Sequence, residues 1–372
     1  MIYFDNAATT FPKPEGVINE LNKCVKTYCG NPGRSSHHLS VKSAEAIYQA
    51  RENVACILGI NTPENIVFTY NATHALNMAI KTLINDVCHV LTSDFEHNSV
   101  IRPLESLKKS IGISYSSFST DGDVQKNICD SIRSDTKAIV SSICSNVSGR
   151  EISAKMLSKI ATRYNLILII DASQAVGHSI INLENTRCDA LCAPGHKALF
   201  GIQGSGFAYF KNNIRTKSYI EGGSGVDSRS PEMPLLLPEA YEAGTLATPA
   251  ICTLSQGINF IKEIGIDNIK KKLIQLTDYS KNLISDIPGV KVISSENGII
   301  SFNINNIHSS IISRELDKYN ICTRSGLHCA PSIHQKMGTI SQGVVRLSFS
   351  YFNSKKEIDS FAYRLNKIAK SI

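Results

Sequence analysis

The sequence has no apolar run of about 18 residues, so nothing in it reads as a membrane-spanning helix. Its opening, MIYFDNAATT, lacks a basic stretch followed by an apolar one, which argues against a secretory signal and makes a cytoplasmic location the expectation. No internal repeat and no low-complexity linker occurs, which excludes repeat arrays and disordered tethers. Charge of one sign is scarce too: 39 Lys and Arg face 32 Asp and Glu, and the longest basic run is Lys270-Lys-Lys272. A net charge of +7 spread in this way is a solvated surface and points away from nucleic acid as a partner. No cysteine pair has CxxC spacing and no four-ligand Cys/His pattern occurs, so no metal site is expected.

What is present fits a soluble globular chain: 372 residues, 42% apolar and 19% charged, enough for about two domains. Eleven cysteines, odd in number and scattered, read as free thiols in a reducing compartment. Most are expected to be small buried hydrophobes, and the question is whether one of them does chemistry.

The middle of the chain alternates short apolar runs with helical patterns. Ile66–Thr69, Cys88–Thr92, Ala138–Ile143 and Leu166–Ile170 read as buried strands. Lys42–Leu58, His74–Leu83, Asn98–Lys109 and Ala154–Tyr164 have helical spacing of apolar positions. This alternation predicts an α/β fold with a mostly parallel sheet, whose ligands sit beyond the carboxyl ends of the strands. Pro249–Ile287 reads as a long connecting helix, ended by Pro288-Gly289. Short strands at Val290–Ser294, Gly298–Ile304 and Val344–Phe349 then alternate with helices at Ser309–Lys318 and Lys355–Lys370. The expected organisation is an N-terminal segment, 1–14, at the substrate pocket, a large domain, 15–255, and a smaller α+β domain, 256–372.

Two constellations carry chemistry. The run Leu166-Ile-Leu-Ile-Ile170 leads straight into Asp171, followed by Gln174. A carboxylate at the end of a buried strand is costly without a cationic partner. It is either a helix N-cap before Ala172-Ser173-Gln174 or the partner of a protonated heterocycle, as in pyridoxal phosphate (PLP) enzymes. Cys192-Ala-Pro-Gly-His-Lys197 follows, ahead of Gly201-Ile-Gln-Gly-Ser-Gly206. A lysine among glycines and small residues is poorly placed as a surface charge and well placed to form a Schiff base. The second constellation is Thr323-Arg-Ser-Gly-Leu-His-Cys-Ala-Pro331, where Cys329 lies in a polar loop beside His328 and Arg324, groups that favour a thiolate.

With these motifs the sequence resembles the cysteine desulfurases and their selenocysteine lyase relatives among class V aminotransferase-fold PLP enzymes. The likeness runs from Tyr3-Phe-Asp-Asn-Ala-Ala-Thr-Thr10 to Tyr351-Phe-Asn353. It implies a fold-type I homodimer in which Lys197 holds the cofactor and Asp171 pairs with its ring nitrogen. Gln174 and Asn146 would lie near the ring's phenolic oxygen, and His97 would stack on the ring. Ala72, Thr73 and His196 would contact the phosphate, and Ser224, in Gly222-Gly-Ser-Gly225, would reach the phosphate of the neighbouring subunit. Arg346 would grip the substrate carboxylate, helped by Arg324, with Asn6 and Ala7 lining the substrate pocket. Arg-x-Gly-x-His-Cys-Ala resembles the loop of the second desulfurase group, which is short and ordered. The implied reaction moves sulfur from L-cysteine to Cys329 as a persulfide, releases alanine and hands the sulfur to a small acceptor protein.

Two departures stand out. Pro194 occupies a position where relatives often carry a phosphate-binding Ser or Thr, and Asn71 and His74 flank the phosphate turn where small or acidic residues are more usual. Other activities fit the same residues. Selenocysteine lyase would need less help from a thiol, another lyase on this scaffold would give pyruvate instead of alanine, and a non-catalytic scaffold would not bind PLP.

Overall fold

A computed structural model describes residues 1–33, 35–212, 217–226 and 228–371. The strands are β1 (Ile2–Tyr3), β2 (Ile66–Thr69), β3 (His89–Ser93), β4 (Ser114–Phe118), β5 (Thr136–Ser142), β6 (Ile167–Asp171), β7 (Ala190–Pro194), β8 (Gly206–Phe210), β9 (Val290–Glu296), β10 (Ile299–Ile304), β11 (Ile321–Cys322), β12 (Arg324–Gly326) and β13 (Val344–Ser348). The α-helices are α1 (Glu15–Thr27), α2 (His38–Ile57), α3 (Ala72–Leu83), α4 (Asn98–Ile111), α5 (Val124–Ser131), α6 (Ala154–Arg163), α7 (Thr248–Ile264), α8 (Ile266–Ser285), α9 (Ser309–Asp317), α10 (Pro331–Lys336) and α11 (Lys355–Ser371). None of the described helices is long and apolar enough to cross a membrane.

The main sheet has the order β2-β8-β7-β6-β5-β3-β4. From β7 to β4 all neighbours are parallel, as the alternating pattern predicts, while β8 is antiparallel to both β7 and β2. The connection from β7 to β8 holds the Gly-His-Lys turn and no α-helix, so the chain reverses instead of crossing over. Period-2 alternation sends Leu91, Ile139, Leu168 and Ile170 to one core and Val90, Val140, Ile169 and Ala190 to the other. Both faces are therefore covered, which is why these strands read as continuous apolar runs.

A second sheet, β12-β13-β10-β9, is antiparallel throughout. The N-terminus belongs beside it: β1 pairs with β11, and Asp5 bridges to Ser348 at the end of β13. The single connecting helix read from the sequence is two helices. Gly265, with φ of +87°, separates α7 from α8 in a conformation that L side chains rarely adopt. Helix α7 packs on α1 and α2, whereas α8 packs on β9 and α11. The change of packing partners thus comes at Gly265, and the expected boundary at 255/256 falls inside α7.

Candidate active site

The carboxyl ends of β3, β5, β6 and β7 converge, and the side chains just beyond them line one cavity with about 510 Å³ of empty space. Ser142 ends β5, Asp171 ends β6 and Pro194 ends β7, with Lys197 in the turn that follows. His97 follows β3, and Ala72 and Thr73, which open α3, line the cavity as well. Gln174, Asn146 and His196 complete the set of expected cofactor residues on this cavity.

Asp171 is 4% exposed and has no ion-pair partner among the described residues. Its Oδ1 accepts the Ser173 N–H at 2.9 Å, and the Ser142 hydroxyl lies 3.4 Å from Oδ2. Residues 172–175 form a turn and not a helix, so the N-cap reading does not apply. A buried carboxylate held by so little fits a cationic ligand, such as a protonated ring nitrogen.

Lys197 Nζ faces the same cavity with no hydrogen bond or ion pair among the described residues. Burial pulls its amine down to about 8, against the attraction of Asp171 and with the help of Arg346 and Arg324. The turn that holds it is tightly built. A Cβ on Gly195 would lie 2.3 Å from Ser205 Oγ, so a larger residue there would have to displace that hydroxyl. Thr10 Oγ1 donates to the Lys197 carbonyl at 2.9 Å, and half-buried Lys13 donates to the His196 carbonyl at 2.8 Å.

His97 caps α4. Its Nδ1 accepts the Ser99 N–H at 3.0 Å, which leaves Nε2 as the protonated nitrogen of a neutral ring. Burial lowers this imidazole to about 4, so it stays neutral at physiological pH. Ser99 Oγ is 2.7 Å from Thr73 Oγ1, placing two hydroxyls together on the wall. The side chain of Asn71 caps α3 through the His74 N–H at 2.9 Å. The N–H groups of Ala72 and Thr73 are thereby left without helical partners, which makes this end an anion site. His196 Nδ1 is buried with no partner. This orphaned nitrogen, the two hydroxyls and the open helix terminus fit a phosphate, and Lys197 on the same cavity would hold the aldehyde of PLP. The residues present therefore suit that cofactor.

Arg346 is 1% exposed, on the central part of β13. Its Nη2 pairs with Asp5 Oδ1 at 2.7 Å and its Nη1 donates to the Asn146 carbonyl at 2.9 Å, while Nε has no partner. Arg324 lies directly opposite it in the β12–β13 register. Two like charges facing each other on one sheet face repel unless an anion joins them. Cys329 is exposed and opens into a groove with about 640 Å³ of empty space that shares Thr73, His97 and Ser99 with the cofactor cavity.

A family model for class-V aminotransferases matches residues 2–361. The chain belongs to that family. Among similar class-V proteins, a probable cysteine desulfurase of Borreliella burgdorferi is 30% identical, aligned over 100% of this chain and 92% of its own length. A probable cysteine desulfurase of Pyrococcus abyssi is also 30% identical, over 100% of this chain and 95% of its own. The apo cysteine desulfurase of Thermococcus onnurineus superposes with a TM-score of 0.91 at 26% identity, covering 100% of this chain and 95% of that one.

Within this class-V framework, several expected residues lie outside the cofactor cavity. Neither Arg346 nor Arg324 lines the cofactor cavity, and neither does Asn6, expected at the substrate pocket. Its amide donates to the Ser348 carbonyl at 2.9 Å and its Oδ1 accepts the Phe11 N–H at 3.2 Å, so it clasps the N-terminal segment to β13. Ala7 lies outside the wall as well, with its carbonyl taking the Gln174 amide at 2.9 Å. Ser224 is in an exposed loop on a different surface cavity, and one chain does not bring it to Lys197. His328 cannot serve as a cation for Cys329: burial drives its imidazole down to about 2, and the ring stacks on His334 at 5.7 Å.

Sequence reasoning missed Ser99 and Ser142. Ser99 was legible in His97-Asn-Ser99, a capping residue followed two places later by a hydroxyl. Ser142 had no signal, because only strand pairing sets it beside Asp171.

Proposed function

We propose that this protein is a PLP-dependent cysteine desulfurase that takes sulfur from L-cysteine onto Cys329 as a persulfide, releases L-alanine and passes the sulfur to an acceptor. The carrying observation is a Lys197 amine and a buried Asp171 carboxylate on one cavity, neither with an ion-pair partner among the described residues, with an exposed cysteine one shared wall away. The relatives named cysteine desulfurase support the same reading.

When bound, PLP supplies an electron sink for bonds at the substrate's α- and β-carbons. Lys197 would hold its aldehyde carbon, Asp171 its ring N–H, and Thr73, Ser99, His196 and the α3 terminus its phosphate. His97 offers a neutral ring as its stacking face, with Gln174 and Asn146 near the phenolic oxygen. Arg346, with Arg324, fixes the substrate carboxylate by paired hydrogen bonds. The Lys197 amine would take the α-proton and later return one, and burial, which lowers its affinity for a proton, suits it to that task. The Cys329 thiolate attacks the substrate sulfur, an S–S bond forms, and the C–S electron pair stays with the substrate carbon, which is then protonated.

All eleven cysteines are free thiols, in keeping with a reducing compartment, although oxidation of Cys329 would block transfer. Ser224 serves a neighbouring subunit in this reading, which makes the working unit a homodimer. The acceptor is a small protein with a thiol of its own.

The test measures alanine and enzyme-bound persulfide after addition of L-cysteine, with L-selenocysteine run in parallel. Wild type should give both products from cysteine. Cys329→Ala should lose persulfide formation and keep the cofactor's visible absorbance. Pyruvate as the product, or an unchanged persulfide yield in the variant, would sink the assignment.

A further inference from the structure

Two successive residues at the proposed nucleophile have left-handed backbone: His328 at φ +52° and Cys329 at φ +57°. Neither is glycine, and an L side chain takes this conformation only where its surroundings impose it. Both peptide carbonyls of this turn are held from segments that follow strands β5 and β3 of the large sheet. The Asn146 side-chain amide donates to the His328 carbonyl at 2.8 Å. The backbone N–H of Asn98, the first residue of α4, donates to the Cys329 carbonyl at 2.7 Å. Nothing in helix α4 needs that N–H, since the first four of a helix have no internal acceptor. Asn146 has a second engagement: its own carbonyl accepts Arg346 Nη1 at 2.9 Å.

From this geometry we infer that Asn146 and the Asn98 N–H are a two-point clamp that positions the sulfur-accepting thiol, holding the turn in its strained form. The inference rests on the assignment of Cys329 as the sulfur acceptor. Asn146 is then a positioning residue with two attachments, one to the carboxylate-gripping arginine and one to the nucleophile's turn. The clamp fixes the distance between the place where substrate is anchored and the place where its sulfur leaves. Released, the turn relaxes toward ordinary backbone angles and carries the thiol off line.

The sequence offers a clean deletion of one clamp point. Proline is tolerated at the first helical position and removes only the N–H. Its preceding residue must be extended, and His97 already is, at φ −74° and ψ 153°. Asn98→Pro is therefore compared with Asn98→Ala, which loses the same side chain and keeps the N–H. Two quantities are measured on the cofactor-loaded protein: amide hydrogen exchange across residues 324–330, and the single-turnover rate of persulfide formation. In the Pro variant, exchange in this segment should be about tenfold faster than in the Ala variant. Persulfide formation should be slower by about 10- to 100-fold, the scale expected from displacing a reacting atom by about 1 Å. The absorbance change on adding L-cysteine should be the same in both, because substrate docking does not use this N–H. Asn146→Ala should raise exchange in the same segment, and it decides the matter if circular dichroism shows the Pro variant unfolded. Equal exchange and equal rates in the Pro and Ala variants would overturn the clamp. A wild-type protein that forms no persulfide would instead remove the functional reading, and the exchange comparison would still decide whether the clamp exists.

Discussion

The amine of Lys197 is where burial has its clearest chemical consequence. Its folded value of about 8 is below the 10.5 of an ordinary lysine. In cofactor-free protein, its reaction with a small aldehyde should rise with pH through a midpoint near 8 and level off well before pH 10.5. Asp171→Asn removes the attraction that partly offsets burial, so the midpoint should move to lower pH; a midpoint that rises would contradict the account. The effect on stability has the matching sign. A depressed lysine costs nothing above its unfolded value and costs most below its folded one, so this group's contribution falls as pH drops from about 10.5 to about 8. The cysteines differ in the same way. Burial drives the thiols of Cys144, Cys188 and Cys192 upward, which keeps them protonated and inert. Exposure alone does not single out Cys329, because Cys29 and Cys56 are exposed too. What distinguishes it is the wall it shares with His97, Ser99 and Thr73.

Helices α3, α4 and α7 build the site from three sides. The first two present their N-termini to it, each capped by a side chain, Asn71 or His97, one residue before the helix. Asn71, which looked like a departure at the phosphate turn, is therefore the residue that starts the helix. Helix α7 lies under the lysine turn so closely that a Cβ on Gly257 would fall 1.9 Å from the Leu199 carbonyl oxygen. That contact is with backbone and cannot rotate away. Gly257→Ala should cost about 1–3 kcal/mol in thermal unfolding, the usual penalty for overpacking, and should weaken PLP retention, because the turn that moves carries Lys197. Unchanged unfolding and retention would show that α7 yields freely. The elements that the sequence missed have physical reasons as well. Strand β4, Ser114–Phe118, is an edge strand with three serines in five residues and a half-buried face, so its apolar signal is faint. Strand β7 ends at Pro194 and β8 begins at Gly206, residues that normally mark breaks.

At the scale of the whole molecule, the first ten residues tie the two larger of three sheets together. Strand β1 pairs with β11, Asp5 holds Arg346, and Thr9 and Thr10 bond the carbonyl of His196 in the lysine turn. The Asp5–Arg346 pair is nearly enclosed, with 21% and 1% of the side chains exposed. Asp5→Ala would leave a buried guanidinium without its counter-ion and should lower stability by about 3 kcal/mol, the lower end for a buried pair because Asp5 keeps some water. Chemical denaturation measures this directly. A loss under about 1 kcal/mol would mean that the Asn146 carbonyl and solvent suffice for Arg346.

The sequence by itself determined the local and periodic features: the parallel sheet, the strand leading into Asp171, the glycine-framed Lys197 and the loop bearing Cys329. Those follow from patterns of neighbouring residues, which solvent exclusion and backbone sterics read directly. Only the tertiary structure decided what each side chain finds across the fold. It spent Asn6 on a clasp, neutralised His328 by burial, brought Ser142 beside Asp171 and Ser99 beside Thr73, and set Asn146 between Arg346 and the cysteine turn. These outcomes depend on partners far apart along the chain, where desolvation and hydrogen bonding are settled only when the sheets close over the site.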